Sequence, residues 1–461
     1  MNRRIRWLAA AASLLVSGTA LAQEGAADAA ARLARGRYLV TAADCVACHT
    51  VPGGKLMAGG VRITTPVGDL VTPNITPDVE HGIGGWTEDE FYHALHKGIG
   101  RHGEYLYPAF PFDAYTHLSR DEVAAIWTYL QSVPAVAVSA PPSSLRFPYN
   151  HRSLLWGWRL LNFRQADERP VQALDTPVAR GQHLAEALAH CGTCHTPRNA
   201  SMGMDAGRPM QGGSLGGWYA PDLRPGRENS IAAWSDEELA NYLKTGRSSH
   251  AVAAGPMAEV VEQSLSQLPT GDIDDLVAWL RSLPQDPVRA GQTVPVSASS
   301  GAAGTAALLG VLRHTYHGEQ LPDDGAHIFA GLCSSCHGLD GRGGPDRAYP
   351  DLLQAASVHA ARSDNLVMVI LQGVHRSAPA QPADMAGYAN QLDDPQVAAL
   401  ASWISARAGV TRHIDATEVA RLRAENATSS SGLRAILIGV GAGVVVLLIL
   451  ILLSLRRRRR R

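Results

Sequence analysis

The 461-residue sequence predicts an all-α protein, three tandem small helical domains followed by a C-terminal transmembrane helix. Three observations predict it. A five-residue pattern, Cys-x-x-Cys-His, occurs three times and uses all six cysteines. Near each copy, apolar residues recur at i, i+3, i+4 and i+7, the period of an amphipathic helix, and almost no segment alternates as a strand would. Ala435 to Leu455 has a single polar member, Ser454. As a helix it reaches about 31 Å and matches a hydrocarbon core of roughly 30 Å.

The two ends set the expected location. Met1 to Ala22 runs from Arg3, Arg4 and Arg6 through an apolar stretch at Leu8 to Val16 to the small-residue site Ala20-Leu21-Ala22. This reads as a secretory signal peptide (1–22), excluded from the fold. Six arginines, Arg456 to Arg461, follow the apolar run 435–455, and a basic flank marks the cytoplasmic side. The domains between are therefore expected on the periplasmic side of a bacterial inner membrane. Of 41 basic residues, removing three signal and six tail arginines leaves 32 against 42 acidic ones, a formal charge of −10. Such a surface repels nucleic acid, which is excluded as a partner.

The first two domains repeat visibly. Ala34-Arg35-Gly36 opens a helix leading to Cys45, and Ala179-Arg180-Gly181 opens one leading to Cys191. Thr72-Pro73-Asn74-Ile75 and Ala220-Pro221-Asp222-Leu223 follow at matching places, then Trp86-Thr87-Glu88-Asp89-Glu90 and Trp234-Ser235-Asp236-Glu237-Glu238. The Thr or Ser three residues before Glu is a capping box and starts a helix. Phe91, Ala94 and Leu95, and Leu239, Tyr242 and Leu243, give those helices one apolar face. Each domain closes with another amphipathic helix: Val123, Ile126, Trp127 and Leu130; Ile273, Leu276, Val277 and Leu280; Val397, Leu400, Ala401 and Ile404. Ser119 with Glu122 caps the first of these, and Asp394 before Pro395 the third. The expected domains are 28–135, 173–286 and 321–412. Linkers at 136–172 and 287–320 join them, with the span 435–455 and the tail 456–461 at the end.

Cysteines in an exported chain normally pair as disulfides, but these occur only as Cys45-Val46-Ala47-Cys48-His49, Cys191-Gly192-Thr193-Cys194-His195 and Cys333-Ser334-Ser335-Cys336-His337. This is the attachment signature of haem c. Two thiols one helical turn apart each add to a vinyl group of one porphyrin, and the next residue offers its imidazole to the iron. A redox dithiol or half a zinc site would not require histidine immediately afterwards three times. His49, His195 and His337 are therefore the expected iron ligands of three covalently bound haems.

A carrier haem usually takes a second axial ligand, commonly methionine. Met257 lies eleven residues after Gly246, where a helix ends, and Met385 twelve after Gly373. Both are expected iron ligands. In the first domain the matching residue, twelve after Gly98, is Phe110, which cannot coordinate iron. Met57, His102, His117 or no protein ligand remain there, with Met57 preferred because a histidine on a polar loop is generally solvated.

Specific stretches carry a family resemblance: Ala58-Gly59-Gly60, Thr72-Pro73-Asn74-Ile75-Thr76-Pro77-Asp78, Leu106-Tyr107-Pro108-Ala109, Cys194-His195-Thr196-Pro197-Arg198-Asn199 and Gly255-Pro256-Met257-Ala258-Glu259. Over nearly the whole mature chain the sequence resembles the trihaem cytochrome c subunits of membrane-bound bacterial dehydrogenases. Those subunits serve alcohol, gluconate, fructose, sorbitol or aldehyde dehydrogenases and some molybdenum hydroxylases. The resemblance implies three tandem cytochrome c domains without substrate chemistry of their own. Electrons would come from a separate catalytic subunit of quinoprotein, flavin or molybdenum type and pass to ubiquinone or a terminal oxidase. Alcohol dehydrogenase members carry methionine at the position of Phe110, so the phenylalanine resembles the molybdenum-hydroxylase relatives more. Two other readings are a multihaem peroxidase-like enzyme using an open first haem and the haem subunit of a terminal oxidase.

Overall fold

A computed structural model of the chain describes residues 27–167, 174–224, 231–284, 324–343, 349–376 and 383–427. The expected signal peptide, second linker, apolar run 435–455 and arginine tail lie outside these residues. Among the described residues no helix is long and apolar enough to cross a membrane, and three small antiparallel sheets are present. The expectation of an all-α chain ending in a transmembrane helix is therefore corrected to a mainly helical chain with short hairpins.

The strands escape a periodicity reading because they are only two to five residues long. In the first domain β1 (Arg62–Thr65) pairs with β2 (Gly68–Val71), and β3 (Ser144–Leu145) joins β2. In the second, β4 (Gln211–Leu215) pairs with β5 (Trp218–Asp222). Their two-residue turn is Gly216-Gly217, with φ of 55° and 88°. Both values lie in the left-handed region that a tight hairpin demands and that glycine enters without penalty. In the third, Val374–Arg376 pairs with Ala383–Met385.

The helices form where their caps and stripes require. Thr87 and Glu90 close a capping box on α3 (Glu88–Lys97), Ser119 and Glu122 on α5 (Arg120–Leu130), and Ser235 and Glu238 on α9 (Asp236–Thr245). Such caps contribute about 1 kcal/mol each. The last domain's closing helix, Asp394–Arg407, is capped by Asp393 with Gln396, one residue before the expected Asp394. Gly98, Gly246 and Gly373 end their helices at φ of 61°, 71° and 76°.

One helix crossing recurs in all three domains. A Cβ on Gly36, in α1 (27–42), would stand 2.0 Å from the carbonyl oxygen of Ala125. On Gly181, in α7 (Pro177–His183), it would stand 1.9 Å from that of Asp275, in α11 (Thr270–Ser282). On Gly325 it would stand 2.3 Å from that of Ala399. In each case the aromatic four residues on, Tyr129, Trp279 or Trp403, packs against the same glycine. Each domain's first helix thus meets its closing helix backbone to backbone, where no side chain fits.

The first two domains share one core, in which Leu39, Phe91 and Ile126 continue into Leu184, Leu239 and Ile273. At their seam, buried His183 Nε2 lies 2.9 Å from buried Glu122, and the Tyr38 hydroxyl donates to Asp272 at 2.7 Å. The third domain has its own core around Phe329, Val367 and Leu400. Its Asn365 side chain accepts from the Tyr219 amide at 2.9 Å and donates to the Tyr219 carbonyl at 2.8 Å.

Candidate haem sites

Each Cys-x-x-Cys-His lies on a short helical turn: α2 (Cys45–His49), α8 (Gly192–His195) and Ser334–His337. One turn of helix carries the chain from the first thiol to the second and leaves the imidazole at its end. Burial pushes the Cys45 and Cys191 thiols up to about 12 and that of Cys333 to about 11. Among the described residues no group of three or more His, Cys, Asp or Glu is gathered to hold a metal ion, so no second half completes a zinc site.

The histidines are oriented alike. His49 Nδ1 donates to the Pro73 carbonyl at 2.8 Å, and His195 Nδ1 to that of Pro221 at 2.8 Å. His337 Nδ1 faces the Pro350 carbonyl at 3.5 Å. In the first two domains the hairpins β1–β2 and β4–β5 turn the chain back so that the proline arrives there. The third match, Pro350-Asp351-Leu352, repeats Pro73-Asn74-Ile75 and Pro221-Asp222-Leu223 and was missed in the sequence because its spacing from the cysteines is shorter. A proton fixed on Nδ1 leaves the Nε2 lone pair as the free donor, the arrangement a metal-ligating histidine needs. Burial lowers the affinity of His49, His195 and His337 for a second proton, with the proline carbonyl opposing it. The rings are neutral imidazoles suited to iron.

Met57 has a twin. Its amide donates to Thr50 Oγ1 at 3.0 Å and its carbonyl accepts from Ile75 at 2.9 Å. The Met210 amide donates to Thr196 Oγ1 at 3.1 Å and its carbonyl accepts from Leu223 at 3.0 Å. Both are buried with φ of 59° and 58°, a left-handed conformation costly for methionine. Thr50 and Thr196 each follow the motif histidine, and Ile75 and Leu223 each lie two residues past the proline it faces. Met57 and Met210 thus support the loop on the histidine side. These hydrogen bonds hold the Met57 backbone beside the histidine's own loop, against the expectation of Met57 as the first haem's second ligand.

The loops after Gly98 and Gly246, which carry the other expected ligand positions, close alike. Leu106 donates to the Gly98 carbonyl at 2.9 Å, and Ala253 to that of Gly246 at 2.8 Å. Four residues beyond these closures stand Phe110 and Met257, each half-buried against the shared core. Met257 lies in the first turn of α10 (Gly255–Gln263), which packs against α2, so the second domain's loop walls the first domain's attachment turn. The third loop is built differently: half-buried Met385 pairs directly with Val374 inside a hairpin. His102 is exposed and His117 half-buried.

The fit to haem rests on three attachment turns with proline carbonyls facing the imidazoles, and on orphaned buried oxygens at two of the turns. Asp44 Oδ1 and Thr193 Oγ1 have no hydrogen-bond partner among the described residues.

A family model described as "Cytochrome c" matches residues 33–134, 178–284 and 322–407. The chain is 36% identical over 388 residues to the "Fructose dehydrogenase cytochrome subunit" of Gluconobacter japonicus, covering 82% of this chain and 79% of that one. It is 33% identical over 457 residues to the "Alcohol dehydrogenase (quinone), cytochrome c subunit" of Gluconacetobacter polyoxogenes, covering 95% and 94%. With a nicotinate dehydrogenase subunit of Pseudomonas putida the identity is 37% over 383 residues, 82% of this chain but only 30% of the relative.

Proposed function

The chain belongs to the cytochrome c family, and on that premise we propose that it is the electron-transfer subunit of a dehydrogenase complex, carrying three covalently bound haems c. It is exported and works at the outer face of a bacterial inner membrane, between a catalytic subunit and ubiquinone or a terminal oxidase. The observation that carries the reading is the threefold setting of a Cys-x-x-Cys-His turn whose histidine faces a proline carbonyl. The cytochrome subunits among its relatives support the partner class.

Bound haem supplies a one-electron iron couple, so the two electrons of an organic oxidation pass along the chain singly. The protein's part is placement. Cys45 and Cys48, Cys191 and Cys194, and Cys333 and Cys336 would tether each group, and His49, His195 and His337 would offer Nε2 to its iron. Met257 and Met385 would offer sulfur to the second and third, which would raise the affinity for the electron and close the iron to small molecules. Phe110 withholds that sulfur in the first domain. The shared core of the first two domains, with α10 against α2, keeps those two sites in fixed relation.

The test is purification of the tagged full chain with its natural companions, followed by a panel of alcohols, sugars, aldehydes and N-heterocyclic acids. A copurifying catalytic dehydrogenase, and reduction of the haems by one of its substrates, is expected. Haems that no organic substrate reduces, in a chain that consumes hydrogen peroxide when reduced, would establish the peroxidase reading instead.

A further inference from the structure

The helix between the first two domains is inside out. It is α6 (Leu155–Asn162), entered through a short 3₁₀ turn at Arg152–Leu154. Its polar groups face protein. Trp158 Nε1 donates to the Ser201 carbonyl at 2.9 Å. Asn162 Oδ1 accepts from Asn199 and Ser201, each at 2.9 Å, and the Arg159 guanidinium lies over the rings of Phe112, Phe163 and Tyr105. At 100° per residue, Leu154, Trp156, Gly157, Leu160 and Leu161 fall within an arc of about 160° on the other side. That side faces solvent, with Leu154 56%, Trp156 60%, Leu160 67% and Leu161 78% exposed, and nearby Phe147 is 76% exposed. It carries no charge, the reverse of what a helix on a water-facing surface adopts.

The charges around this face identify its cover. Residues 143–166 hold Arg146, Arg152, Arg159 and Arg164 and no Asp or Glu, in a chain otherwise rich in carboxylates. Among the described residues none of the four arginines has a carboxylate partner. An apolar face bearing tryptophan, leucine and phenylalanine, with arginine around it and no acid before Asp167, matches the boundary between anionic lipid headgroups and acyl chains. We propose that residues 146–164 lie in the surface of an anionic bilayer, with Trp156, Leu160 and Leu161 inserted and Arg146 and Arg164 at the phosphates. This contact rests on the reading of the chain as a protein of the membrane's outer face, and it would hold the loop bearing Phe110 close to the lipid, where a quinone resides.

The experiment uses the full haem-loaded chain with Leu160→Cys as its one free thiol, the motif cysteines being consumed in thioethers. A nitroxide on this cysteine reports its surroundings in vesicles of phosphatidylglycerol and phosphatidylcholine, with the same label at Val79→Cys, exposed on the first domain, as control. The label at 160 is expected to gain contact with dissolved oxygen and lose contact with a water-soluble nickel chelate on anionic vesicles, while the label at 79 stays in water. Arg146→Gln with Arg164→Gln should weaken this protection about tenfold or more, and salt should do the same. A label at 160 that stays in water on anionic vesicles overturns the proposal. So does one protected only when the catalytic subunit is added, since that makes the face a protein interface. Reduction of the haems by dehydrogenase and substrate, followed in the same samples, tests the electron-transfer reading separately.

Discussion

On the histidine side of their haem sites the first and second domains are copies, down to the left-handed methionine that supports each loop. Thr50, Met57, Pro73 and Ile75 do in one what Thr196, Met210, Pro221 and Leu223 do in the other, with bond lengths matching to about 0.1 Å. The loops after Gly98 and Gly246 also close alike, but the residue four places on is phenylalanine in one and methionine in the other. Attachment and imidazole orientation are held alike in these two domains, because a misplaced thiol or ring would weaken the hold on the haem. The second ligand proposed for each haem tunes how strongly the iron holds an electron, and there the copies are proposed to part.

The largest effect should follow from removing an attachment turn. Cys191→Ala with Cys194→Ala is expected to lower the pyridine haemochrome yield from three haems per chain to two, leaving the first domain's haem in place. An unchanged yield would break the comparison at its root. Met257→Ala should keep all three haems but turn the second high-spin and lower its potential by a sizeable part of the ~0.8 V that axial ligands span. A spectrum and potential like wild type would remove Met257 as ligand, and Met385→Ala applies the same test to the differently built third loop.

Much of this was legible in the sequence. The cysteine motifs, the capping boxes, the glycine helix ends and the apolar stripes are local patterns, and Phe91, Leu239, Ile273, Val397 and their neighbours are buried as the periodicity required. What stayed hidden depends on contacts between distant residues. The hairpins are three to five residues long, too brief to alternate. The glycine crossings at Gly36, Gly181 and Gly325 show as a need for glycine only once Ala125, Asp275 and Ala399 are seen opposite. Counting from Gly98 located Phe110, but only the hydrogen bonds to Thr50 and Ile75 put Met57 on the histidine side. Counting from Gly373 could not show that the third hairpin pairs Met385 with Val374.

Two stability measurements sharpen the comparison. Glu122 on the first domain faces His183 on the second, and Glu122→Ala should cost about 3–5 kcal/mol by leaving the seam's other buried group unpaired. Burial raises the Glu122 carboxyl, but the hydrogen bond and charge of His183, with Ser119, bring it below its ordinary 4.5. A depressed carboxyl stabilises the fold above its unfolded value, and that contribution disappears as pH falls through the folded one. Thermal unfolding from about pH 6 downward should therefore show wild type losing its advantage over Glu122→Gln below about pH 4.5; parallel curves would contradict the pairing. Gly181→Ala should cost about 1–3 kcal/mol through a strained crossing, and Gly36→Ala a similar amount. Unequal costs would show that the two crossings are not equivalent.

The central claim, that the copies differ at the second ligand, is tested most directly by the methionine–iron charge-transfer absorption of the oxidised full chain, read per haem. Two of three haems should contribute to it in wild type, and all three in Phe110→Met, with the potential of the first haem raised. A wild-type chain already showing three methionine-bound haems, or a Phe110→Met chain indistinguishable from it, would contradict the account.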